Sequence, residues 1–169
     1  STASGTGYKV LAAAAGEGVD AESLRAAGRL SEGYRAVSNA ALPLRNQLVV
    51  QCRNYGPATD LAQAAASRQP LRARLRTLGA QLARLRSDWG AVRYPIVERY
   101  GPGTVELVLF KPGTTDPGLD LVGHAETAFA SAAALARTIH EELTLEETAF
   151  RALETRSRRR TRQLTLLAL

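Results

Sequence analysis

Apolar side chains recur at heptad spacing through the middle of the chain. Leu71, Leu75, Leu78, Leu82, Leu85, Trp89, Val92 and Ile96 are separated alternately by four and three residues. At 3.6 residues per turn these eight positions form one stripe, the coiled-coil-like seam of a long amphipathic helix. Pro70 suits the first turn of that helix, and Tyr100-Gly101-Pro102-Gly103 ends it. An earlier stripe runs Ala27, Leu30, Tyr34, Val37, Ala41, Leu44 and Leu48, behind a capping oxygen on Asp20. Pro43 lies inside it, and there the helix is expected to kink or break. Asn54-Tyr55-Gly56-Pro57 is a turn, followed by a short Ala-rich helix over 58–67.

A third stripe, Leu121, Ala125, Ala128, Ala132, Leu135 and Ile139, is lined with small residues and loses phase near Leu143. Thr144 and Glu147 there have the spacing of a capping box, which predicts a new helix with Leu145, Ala149, Phe150 and Leu153 on its apolar face. Between the second and third stripes, Thr104–Phe110 is β-branched and apolar, Lys111–Gly118 carries two Pro-Gly pairs, and Leu119–Val122 can return. That pattern predicts a hairpin. The expected fold is mainly α: an up-down four-helix-type bundle over 19–155 with a small β-hairpin insert near 104–122. Gly, Ser and Thr in 1–18 read as a flexible N-terminal arm, and 156–169 as a basic, leucine-tipped tail.

Composition agrees with helices and narrows the chemistry. Thirty alanines and only nine aromatic residues disfavour a β-sandwich of this size. Cys52 is the single cysteine, so neither an intrachain disulfide nor a thiolate metal cluster can form. No apolar run approaches the ~20 residues of a membrane span, and a cytoplasmic location is the expectation. The chain lacks methionine. Ser1 either follows an excised initiator or belongs to a longer precursor.

Catalytic and cofactor patterns are not found. A ferritin-like di-metal site needs Glu-x-x-His pairs, but Leu121 and Arg137 stand three residues before His124 and His140. Sixteen residues apart on one helix, the two histidines point roughly 160° away from each other. There is no nucleophile elbow. Cys52 lacks a nearby His, although Arg53 beside it could lower its thiol pKa. The short Gly motifs are turns, and the adjacent pairs Glu141/Glu142 and Glu146/Glu147 diverge around a helix. No cofactor or metal is expected.

Charge is where the sequence becomes informative. The net +6 conceals segregation: residues 68–100 carry +6, residues 101–150 carry −6, and residues 151–169 carry +5. Every basic residue except Lys9 and Lys111 is Arg, a composition that follows either from GC-rich coding or from selection for bidentate contacts to phosphate and carboxylate. The basic helix can pair with the acidic one inside the bundle, or its arginines can face a partner.

The candidate contact residues are Arg72, Arg74, Arg76, Arg84 and Arg86 on the seam helix, and Arg156, Arg158, Arg159, Arg160 and Arg162 in the tail with Leu164 and Leu167. The tail arginines point all around a helix, so no single face could bury them. These features predict a non-enzymatic helical subunit that assembles with itself or with another protein. In that reading the tail arginines meet glutamates such as Glu141, Glu142, Glu146 and Glu147. The alternative is sequence-nonspecific nucleic-acid binding, with an enzyme or cofactor-binding bundle third. A membrane anchor ranks low for a tip of six residues.

Overall fold

A computed structural model of the chain describes residues 19–100 and 117–169, and these residues form three α-helices. α1 spans Val19–Arg53, α2 spans Leu61–Tyr100 and α3 spans Pro117–Ala168. There is no strand among the described residues. The expected four-helix bundle with a hairpin is therefore replaced by a three-helix arrangement, and each difference has a local cause.

α1 runs through Pro43 without a break. Pro43 leaves the carbonyl of residue 39 without its helical donor, but Pro43 and Asn39 are both exposed, so the loss falls on the outer face. Ala41 and Leu48 keep their inward positions, at 0% and 1% exposure. α2 likewise absorbs the separate short helix expected over 58–67. Pro70 lies inside it and is exposed, as is Ala66 four residues earlier. The true start is set by Asp60, whose Oδ1 accepts from the Gln63 N–H at 3.2 Å as an N-cap. The turn before it closes as expected: Gly56 N donates to Thr59 Oγ1 at 2.9 Å and Thr59 N to the Gly56 carbonyl at 3.0 Å.

α3 corrects two further expectations. Leu119–Val122 is helical, with Pro117 as the first residue of the helix, where its missing N–H costs nothing. The other half of the expected hairpin, Thr104–Phe110, lies outside the described residues, as does the N-terminal arm. Nor does a new helix begin at Thr144. Its Oγ1 donates to the His140 carbonyl at 2.9 Å, a bond made within a continuing helix and not at a cap.

The contacts divide the chain into two compact units. Among the described residues one unit comprises 19–38, 81–100 and 117–135, and the other 39–80 and 136–169. In the first, Leu82 and Trp89 are buried at 0% and 2% exposure together with Ala27, Ala128 and Ala132. The Trp89 indole Nε1 donates to the Glu126 carboxylate. In the second, Leu48, Leu75, Leu78, Ile139, Leu143, Phe150 and Leu153 form the core with Ala41 and Ala64.

Candidate interaction site

The second unit contains buried charge. Along α2 the inward face carries Ala64, Arg68, Arg72, Leu75 and Leu78; along α3 it carries Ile139, Leu143, Glu146, Phe150 and Leu153. All of these residues are buried. Arg68 and Glu146 fall on the heptad registers and Arg72 beside the seam position of Leu71, and all three lie in the interior, at 4%, 1% and 5% exposure. Arg68 donates from Nε and Nη2 to Glu146 Oε1 at 2.8 and 2.5 Å, and from Nη2 also to Glu147. Arg72 Nη1 donates to the Leu143 carbonyl at 2.7 Å and reaches Glu146 Oε2 at 3.4 Å. The Arg68 guanidinium stacks 4.1 Å from the Phe150 ring centroid, and Tyr55 tilts against that ring at 5.9 Å. Planar guanidinium, fork geometry and aromatic stacking together explain why Arg occupies the site and Lys would not replace it.

Glu147 completes the cluster at its edge. Its hydrogen bond from Arg68, with the Arg68, Arg72 and Arg151 charges, holds the carboxyl below the usual carboxylate range against a partial burial that opposes it. A depressed folded-state pKa contributes stability above the unfolded value, near 4.3, that is lost as pH falls through the folded value. Glu147→Gln is therefore expected to lower the melting temperature at neutral pH, with the gap to the parent chain narrowing below about pH 4. A pH-independent gap in acid-melting scans would exclude this account.

This arrangement redistributes the residues singled out by sequence. Arg72 is buried and bonded within its own chain, to the Leu143 carbonyl and Glu146. Arg74, Arg76, Arg84 and Arg86 are exposed on α2. Three of the four glutamates expected to receive tail arginines are held within their own chain. Glu146 and Glu147 bind Arg68 and Arg72, and Glu142 binds Arg45 through Nε and Nη2 at 3.0 and 2.7 Å. Arg68 and Glu146 were missed as core positions; extrapolating each heptad register past its last apolar residue is the signal that finds them. Cys52 is half-buried, and burial, reinforced by the Glu146 charge, pushes its thiol up, the reverse of the lowering expected from Arg53.

The tail is a continuation of α3. Every residue from Thr155 onward is exposed, including Arg156, Arg158, Arg159, Arg160 and Arg162. Arg158 pairs loosely with Glu154 at 3.7 Å, and Arg160 Nη1 donates to the Pro57 carbonyl at 3.0 Å. The seam spacing continues past Leu153 through Ser157, Arg160, Leu164 and Leu167. Leu164 and Leu167 are thus core-phase residues at 61% and 83% exposure.

Among the described residues no helix is long and apolar enough to cross a membrane, and no group of three or more His, Cys, Asp or Glu is placed to hold a metal ion. No family model, curated protein or solved structure matches the chain.

Proposed function

We propose that the chain is a non-enzymatic interaction protein, a helical subunit that joins an assembly through the end of α3. The observation that carries this reading is the exposed continuation of the seam: Leu164 and Leu167 keep core phase on a helix that extends to Ala168. Burying them would contribute roughly 1.5–3 kcal/mol each, before the entropy of ordering a partner. The net +5 of residues 151–169 opposes pairing one tail with another. The tail therefore docks on the body of a second copy or on another protein.

The test follows from burial. Leu153 is the last buried residue, so a chain ending at Glu154 is expected to keep its helicity and to melt within a few degrees of the full chain. By light scattering it should lose the higher mass expected of the full chain. Unfolding of the shortened chain would assign the leucines to its own core, and a monomeric full chain would remove self-assembly.

A second reading, backbone contacts to nucleic acid, is favoured by the exposure of all five tail arginines. It requires affinity for duplex DNA that falls steeply with salt and weakens when the five are changed to Gln.

A further inference from the structure

We propose that a cleft between α2 and α3, rimmed by Arg76 and Arg151 and floored by Arg72, binds a phosphate dianion, either free or as the terminal group of a small phosphomonoester. The site lies within the second unit and is independent of the tail. The cleft measures about 480 Å³, within the ~300–1,000 Å³ typical of small-molecule sites, and is lined by Arg72, Arg76, His140, Leu143, Glu147 and Arg151 among others.

The argument is one of charge and unused donors. Four guanidiniums, Arg68, Arg72, Arg76 and Arg151, gather around two carboxylates, Glu146 and Glu147. The local surplus is two positive charges, close to the −1.5 to −2 carried by a phosphate monoester near neutral pH. Both carboxylates are already bonded. Glu146 accepts from Arg68 and Arg72, and Glu147 accepts from Arg68 and, at 2.9 Å, from Arg151 Nε.

Donors remain after those bonds. Arg151 commits only Nε, so its two Nη groups are left, and Arg76 has no ion pair or hydrogen bond among the described residues. Arg72 is fixed by the Leu143 carbonyl, a rigid positive floor that pays its ordering cost on folding. Guanidinium groups brought together from two helices, with Arg72 and Arg151 held by their own bonds, suit bidentate contacts to a tetrahedral oxyanion. His140 stands on the rim as a further ring-nitrogen ligand.

Isothermal titration with inorganic phosphate and with phenyl phosphate, against chloride at matched ionic strength, tests the proposal on the full chain. Saturable binding of at least one phosphate is expected, with tighter binding of phenyl phosphate indicating a carried group and tighter binding of inorganic phosphate a free ion. Arg76→Gln and Arg151→Gln should each weaken it by about tenfold or more. Both side chains are exposed, so the fold should survive, which circular dichroism checks. Arg84→Gln, an exposed α2 arginine in the other unit, should leave affinity unchanged. Heats indistinguishable from those of chloride, or an equal loss on Arg84→Gln, would overturn the proposal.

Discussion

Glu146→Ala is expected to destabilise the protein by about 3–5 kcal/mol, because it removes a fully buried carboxylate that lies between two buried cations. Arg68 would retain Glu147 at the edge, and Arg72 would retain the Leu143 carbonyl, but neither replaces a carboxylate that both guanidiniums face. The complementary variant separates the cost of a broken cluster from the worth of an intact one. Changing Arg68 to Met, Arg72 to Leu and Glu146 to Leu together removes the three buried charges of the cluster while keeping apolar volume. That triple variant should unfold within about 1 kcal/mol of the parent chain or later, since desolvation offsets most of what buried pairs gain. Denaturant unfolding measures both. A Glu146→Ala midpoint equal to the parent's would mean that water reaches the cluster and that its burial is not maintained in solution.

The same cluster explains where the sequence could be read and where it could not. Leu75, Leu78, Leu82 and Trp89 announce themselves because an apolar residue at a seam position satisfies both periodicity and burial. Glu146 satisfies only periodicity. An apolar scan registers it as an interruption, and Thr144 and Glu147 then mimic the cap of a new helix. Pro43 and Pro70 misled for a related reason: the cost of proline is set by whether the orphaned carbonyl is buried, and that depends on which face the neighbouring helices leave open. Leu119–Val122 followed the strand signal of 104–110, although Pro117 marked a helix start.

The candidate contacts divide along the same line. The tail arginines were recognisable as exposed because consecutive positions cannot all be buried on one helix. Arg72 was not separable from Arg76 by sequence, since only the position of Glu146 on the facing helix decides which of the two turns inward. The cleft joins residues about 70 positions apart, and no local pattern records such a meeting.

Leu82 provides the corresponding measurement on the first unit, where no ionic cluster complicates the interpretation. Its side chain is fully buried, and among the described residues of that unit Trp89 and the alanines at 27, 128 and 132 are buried with it. Leu82→Ala removes the transfer free energy of three carbons and leaves a cavity whose cost depends on how far the surroundings relax. The loss is expected within the ~2–5 kcal/mol range for such changes. Leu167→Ala is the internal control: at 83% exposure it should shift stability by less than about 0.5 kcal/mol in dilute solution. If Leu82→Ala proves as mild as Leu167→Ala in denaturant unfolding, the α2 seam does not form the core of that unit.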